Sequence, residues 1–125
     1  MQLASARAGN VIGGGDWAVD RIITDVVAAL QAGRPVQLRH PQAVRPWQHV
    51  LDALSGYLLL SQRMSTTCAP ELSSAWNFGP RQDTHTVQAV VETFIDQWGS
   101  GCWEHVGEPN DWVEAQTLTL NTGKT

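Results

Sequence analysis

Two rhythms alternate along this chain: short apolar runs, and longer stretches in which apolar residues return about once per helical turn. Leu3 to Ile12 is small and apolar and predicts a buried strand that ends in the loop Gly13-Gly14-Gly15. A helix is expected from about Asp20 to Ala32, because Ile22, Ile23, Val26, Val27 and Leu30 share one face and Gly33 supplies a stop. Pro35 to Arg39 reads as extended, and Pro41 and Pro46 bracket a loop. After an extended Trp47 to Val50, Asp52 is expected to N-cap a helix to about Met64 with Leu54, Leu58 and Leu59 inward. Ser65 to Ser74 is polar and is the best place for a flexible linker. Ala75 to Phe78 predicts a strand ended by Gly79-Pro80. The cleanest helical pattern starts near Thr86: Val87, Val90, Val91, Phe94, Ile95 and Trp98 form one stripe, closed by Gly99. Cys102 to Val106 predicts a short strand, and Glu114 to Leu120 alternates like an edge strand. No repeat or low-complexity tract interrupts the pattern. Helices alternating with strands predict an α/β fold, a small layered domain with at least partly parallel pairing.

Length then sets the scale: 125 residues suffice for one compact domain spanning 1–125. With 42% hydrophobic and 16% charged residues the chain falls among ordinary globular sequences. A formal charge of −4 argues against nucleic acid as a partner, since that needs a basic face. Lys124 is the sole lysine and the other cations are arginines, whose planar fork suits phosphate or carboxylate; a GC-rich genome would leave the same bias. Two cysteines, Cys68 and Cys102, make no disulfide framework and are expected as free thiols in the cytoplasm. No apolar run approaches the roughly 20 residues that span a bilayer, and the first residues carry no signal-peptide pattern, so no membrane partner is expected. Six tryptophans are many for this length; such rings line ligand sites, although core packing explains most of them.

Candidate chemistry is sparse. The Gly13-Gly14-Gly15 cluster follows a strand, but it lacks the G-x-G-x-x-G spacing, and Asp16-Trp17 stands where a helix should open. An acid there would repel a pyrophosphate, so these glycines are expected to turn the backbone at a strand end, where open α/β sheets place ligands. Arg21, Arg39 and Arg45 stand in three separate loops. Converging, they would supply the several donors a diphosphate needs; dispersed, they are solvated surface charges. His40, His49, Cys68 and Cys102 show no metal-ligand spacing, and no metal is expected. No G-x-S-x-G elbow is present, and Tyr57 is expected to pack on its helix.

Several co-linear segments carry a resemblance. Ala6-Arg7-Ala8-Gly9-Asn10-Val11-Ile12-Gly13-Gly14-Gly15-Asp16-Trp17 is followed by Asp20-Arg21-Ile22-Ile23 and by Arg45-Pro46-Trp47-Gln48-His49-Val50-Leu51-Asp52. Leu54-Ser55-Gly56-Tyr57-Leu58 and Ala75-Trp76-Asn77-Phe78-Gly79-Pro80 come next, with a weaker echo in Glu114-Ala115-Gln116 and Leu118-Thr119-Leu120-Asn121. In this order and spacing they resemble the CDP-glucose 4,6-dehydratases of the extended short-chain dehydrogenase/reductase superfamily. The resemblance implies the last Rossmann strand plus the substrate-binding lobe of such an enzyme. It implies NAD-dependent dehydration toward CDP-4-keto-6-deoxyglucose, a deoxysugar precursor for surface polysaccharides. In that chemistry a Tyr-x-x-x-Lys pair removes the C4 proton as hydride passes to NAD. The 4-keto group then acidifies C5, water leaves across C5 and C6, and the hydride returns to C6.

The chain departs from the family pattern in what it omits. It has no Gly-rich dinucleotide loop, and Ser61 stands four residues after Tyr57 where the pair would need lysine. The segment bearing the dehydrating acid pair is absent as well, and the family would run on by about a helix past Asn121 to Lys124. The expectation is therefore a fragment, inactive alone, with no catalytic residue and no cofactor of its own, NAD belonging to the full-length family. Carried over by position, Asn10 lies near the sugar or diphosphate, Arg21 and Arg45 clamp the diphosphate with Arg39 as a third cation, and Asp16, Trp17 and Asn77 line the nucleotide pocket. The expected partner is a nucleotide diphosphate sugar. Homo-oligomers, or association through the face a missing Rossmann half would leave, are also expected. Two alternatives stand beside this: a remnant that folds and oligomerises without binding nucleotide, and a chain that complements a separate Rossmann half.

Overall fold

The computed structural model describes residues 2–81, 85–107 and 115–124. Ten elements follow in the order β1 (Ser5–Ala8), β2 (Asn10–Ile12), α1 (Ile22–Gln31), β3 (Val36–Leu38), β4 (Trp47–His49), α2 (Val50–Thr66), a 3-10 turn (Pro70–Leu72), β5 (Ala75–Phe78), α3 (Val87–Trp98) and β6 (Trp103–His105). The strands form three parallel pairs, β1 with β5, β2 with β4 and β3 with β6. Parallel pairing with intervening helices is the expected α/β class. Internal contacts divide the chain into two compact units, a division that the reading of one domain did not draw. One unit is Met1–Gly13, Pro46–Asp83 and Thr119–Thr125, and the other is Gly14–Arg45 and Thr84–Leu118.

In the first unit the apolar run expected as one strand is broken at Gly9. β1 runs beside β5, Ser5 opposite Ala75 through Ala8 opposite Phe78, while β2 runs beside β4, Asn10 opposite Trp47 through Ile12 opposite His49. Gly9 makes the change of partner possible: a Cβ there would lie 2.5 Å from the Pro46 carbonyl oxygen, the atom that accepts the Asn10 N–H at 2.9 Å. Gln48 ties the pairs together by donating its amide to the Phe78 carbonyl at 2.8 Å.

Helix α2 begins three residues earlier than expected. The chain leaves β4 extended and turns helical at Val50, so His49 is the cap, its Nδ1 accepting the Leu51 N–H at 3.2 Å. Asp52 sits instead in the first turn, where a carboxylate suits the positive end of the helix dipole. Removing the cap with His49→Ala should lower stability by about 0.5–1 kcal/mol, read as a lower urea midpoint with unchanged slope.

The expected inward face of α2 is also corrected. Leu54, Leu58 and Leu59 are exposed. The inward positions are Ala53, which is buried, and Gly56, where a Cβ would stand 2.3 Å from the Phe78 ring. Tyr57 packs edge-on against the same ring with centroids 5.2 Å apart, as its expected packing role requires. Small residues let the helix approach β5 closely, and that requirement overrides leucine's general preference for the interior. The expected linker is tighter than its polarity suggests, since α2 runs through Thr66 and the 3-10 turn follows, with the Trp76 indole N–H donating to Leu72 O at 3.1 Å.

The second unit holds the larger core. Val26 and Leu30 from α1, Val36 and Leu38 from β3 and Val91 from α3 are buried together, with Ile22, Val87, Phe94, Ile95 and Trp103 packed around them. Helix α3 ends as expected: the Thr86 hydroxyl accepts the Ala89 N–H at 3.1 Å, and Gly99 closes the last turn at φ 90°. Trp98, expected in the α3 stripe, is 44% exposed and stacks on Phe94 with ring centroids 6.4 Å apart. Val36 stands opposite Trp103 and Leu38 opposite His105. The edge strand expected over 114–120 is a single bridge within the described residues, Val44 beside Thr117; Glu114 lies outside them. Among the described residues no helix is long and apolar enough to cross a membrane.

Candidate functional site

The loop between β2 and α1 is held by its own polar groups. The Asp16 carboxylate accepts the Ala18 N–H at 3.0 Å, which turns it into the loop's backbone. The Thr24 hydroxyl donates within the same region, toward Ala18 O at 2.7 Å and Arg21 O at 2.8 Å. Thr24 went unmarked in the sequence, although a threonine in a first helical turn commonly bonds backbone in this way. Trp17 is presented to solvent, 76% exposed.

Arg21 occupies the cap position of α1 with its side chain exposed and no capping bond of its own. Its carbonyl accepts the Asp25 N–H at 2.9 Å. Partial burial pushes the Asp25 carboxyl above the ordinary range, the Asp20 charge adds to the rise, and the Arg39 charge opposes it. Arg39 follows β3, and its carbonyl lies 3.1 Å from His105 Nε2. The structure thus gathers Arg21, Arg39, Asp20 and Asp25 around the first turn of α1. Two guanidinium groups and the dipole there favour an anion, and two carboxylates oppose it.

The raised Asp25 value has a consequence for stability. The folded state favours the protonated carboxyl, so its stabilising contribution is present below the ordinary value of 3.8 and is lost as pH rises through the raised one. Asp25→Asn should therefore raise the thermal midpoint at neutral pH, and the gain should vanish at about pH 3.

Arg45 stands apart from that group in its bonding. It is 8% exposed, and its Nη1 donates to Val44 O and Ala115 O, both at 2.9 Å, and to Gln116 O at 3.5 Å. Beside it, Val44 N–H donates to Gln116 O and Leu118 N–H to Val44 O. The guanidinium therefore fastens residues 115–116 next to Val44, a job that the carried-over clamp role did not contain.

In the other unit, Asn10 opens β2 and is half-buried opposite Trp47. Asn77 lies in β5 opposite Arg7, and its amide donates to Asn121 O at 3.0 Å. The segment it holds is fastened again at Lys124, whose ammonium bonds the Ser74 hydroxyl and lies 4.4 Å from the Trp76 ring centroid. Trp47 and Trp76 are both half-buried, in keeping with packing roles. Cys68 and Cys102 are free, exposed thiols. Among the described residues no cluster of three or more His, Cys, Asp or Glu could hold a metal ion.

No family model matches the chain. It is 48% identical over 124 residues to the CDP-glucose 4,6-dehydratase of Salmonella typhimurium, an alignment covering 98% of this chain and 34% of that protein. The resemblance read from the motifs therefore extends over nearly the whole chain, which spans about a third of the relative's length. Solved structures share the fold. A dTDP-glucose 4,6-dehydratase from Streptomyces venezuelae with NAD and TYD bound superposes with a TM-score of 0.78 at 18% identity, covering 99% of this chain and 36% of that one. One from Bacillus anthracis in complex with NAD gives 0.70 at 22%, covering 97% and 36%. The UDP-glucose 4-epimerase of Thermus thermophilus with NAD gives 0.74 at 19%, covering 99% and 39%. The chain shares its α/β fold with these dehydratases and with this epimerase.

Proposed function

We propose that this chain, similar over 98% of its length to a CDP-glucose 4,6-dehydratase, is the nucleotide-sugar-binding portion of such a lyase and works in the cytoplasm toward deoxysugar-containing polysaccharides. The single observation that carries the proposal is the 48% identity. Arg21 and Arg39 at the first turn of α1 face the diphosphate, where charge-assisted hydrogen bonds act together with the helix dipole. Trp17 supplies an exposed ring for the nucleotide. Arg45 holds residues 115–116 and, carried over by position, joins the diphosphate clamp.

The residues present do not fit a nicotinamide dinucleotide. Gly13 to Gly15 lead into Asp16, and α1 starts only at Ile22, so no helix opens directly from a glycine turn. Tyr57 is packed on Phe78 with Ser61 four residues on, so it cannot serve in a Tyr-x-x-x-Lys pair. The division of labour follows: this segment binds and orients, and a separate nicotinamide-binding portion supplies proton transfer and hydride exchange. Incubated with CDP-glucose and NAD, the chain alone should form no 4-keto-6-deoxy product. Adding the remaining part of the Salmonella relative as a second polypeptide should generate it. Product from the chain alone would overturn the proposal.

The second, complementing reading is favoured by β1. Among the described residues this strand pairs only with β5, and Ser5 to Arg7 are exposed, which leaves an edge able to receive a strand from another chain.

A further inference from the structure

Helix α2 has two residues able to cap it, His49 and Asp52. His49 holds the cap in the structure: it is extended, at φ −76° and ψ 145°, and its Nδ1 accepts the Leu51 N–H at 3.2 Å. Asp52 follows in the first turn, exposed to solvent, with a carboxylate of the kind preferred at helix starts. The residues between the two caps are weakly anchored. Val50 is half-buried, Leu51 is 65% exposed, and Ala53 is the first residue of the helix that is buried. Burial therefore fixes α2 only from Ala53 onward, and the first turn rests on its cap. A start at Asp52 would leave Val50 and Leu51 as a continuation of β4, an extended conformation that β-branched valine favours.

The two caps answer differently to protons. An imidazole accepts at Nδ1 only while that nitrogen keeps its lone pair; an imidazolium carries N–H on both nitrogens and can only donate. Its charge would also face the positive end of the helix dipole. A carboxylate stays charged over the range in which an imidazole gains its proton, and it suits that end of a helix. His49 is the one histidine of the first unit, since His40, His85 and His105 lie in the second. Packed against it, β2 (Asn10–Ile12) brings no titratable group, and the first turn of α2 brings Asp52. Both side chains are exposed, so an ion pair between them adds little and does not offset the lost cap.

We propose that α2 has two starts and that the proton on His49 chooses between them. With His49 neutral the helix begins at Val50, as in the structure. With His49 protonated it begins at Ala53, capped by Asp52, and Val50 to Asp52 extend from β4. The change reaches the glycine turn. Val50 Cγ1 fills the space in front of Gly13, 2.7 Å from where a Cβ would stand, and it leaves that place when the first turn unwinds. None of this depends on nucleotide binding.

Amide hydrogen exchange of the intact chain reads the choice, measured at about pH 8 and about pH 5, on either side of histidine's change of charge, with intrinsic rates divided out. Leu54 N–H bonds Val50 O only in the longer helix, whereas Gly56 N–H bonds Asp52 O in both. Leu54 protection is expected to fall about tenfold between the two conditions, the combined effect of a lost cap and a charge facing the dipole, while Gly56 protection holds. His49→Asn keeps an acceptor that does not titrate, and its Leu54 protection should be the same in both conditions. Leu54 protection indifferent to pH in the parent, an equal fall in His49→Asn, or a fall at Gly56 as large as at Leu54 would each overturn the proposal.

Discussion

Gly9→Ala should disable the first unit, costing about 3 kcal/mol or more. The added methyl would stand 2.5 Å from the Pro46 carbonyl oxygen and 2.7 Å from its ring Cγ. No rotamer relieves an overlap with backbone, and the Pro46 side chain is fully buried. The carbonyl is also the acceptor for Asn10 N–H, so moving it opens the first rung between β2 and β4. Because a domain of this size holds only about 5–15 kcal/mol of net stability, the loss should appear as a large drop in urea midpoint. At Gly14 nothing lies within 4 Å of an added Cβ, so Gly14→Ala should stay near the parent value.

Arg45→Ala should cost the second unit about 3 kcal/mol. Its guanidinium is buried and charge-assisted, and the carbonyls of Val44, Ala115 and Gln116 lose a donor together. Arg45→Lys should recover only part of the loss, because an ammonium cannot reproduce the planar fork. A residue that served only to clamp a ligand would leave the thermal midpoint of the free chain untouched. Measuring unfolding without ligand therefore separates the two roles: an unchanged midpoint in Arg45→Ala would refute the supporting role argued for it.

How much of this was legible in the sequence depended on where the deciding contacts lie. Helix α3 was plain because all its determinants are local: the Thr86 cap, a stripe repeating with the helical turn, and Gly99 at the end. Helix α2 was misread in its facing, since the choice between leucines and the Ala53–Gly56 side was made by the Phe78 ring on a distant strand. The same holds for Leu3 to Ile12, which periodicity reads as one strand and which Gly9 divides between two partners. The candidate site was legible in kind more than in arrangement. Arginines in loops offered a candidate anion site, but the neighbourhood of Arg39 and Asp25 arises only when β3 packs beside α1. The bonds of Arg45 reach residues seventy positions away, beyond any local pattern. Motif resemblance carried what periodicity could not, because it compares whole arrangements at once.

If the proposed function holds, this chain binds a cytidine nucleotide sugar and does not bind a nicotinamide dinucleotide. Calorimetric titration with CDP-glucose, with CDP and NAD titrated separately, tests it most directly. Saturable binding of CDP-glucose and CDP is expected, none of NAD, and a loss of tenfold or more in affinity for Arg21→Ala or Arg39→Ala, in line with about 1.5–3 kcal/mol for a charge-assisted hydrogen bond. Absence of binding to either cytidine nucleotide by the folded chain, or binding that survives both substitutions, would contradict it.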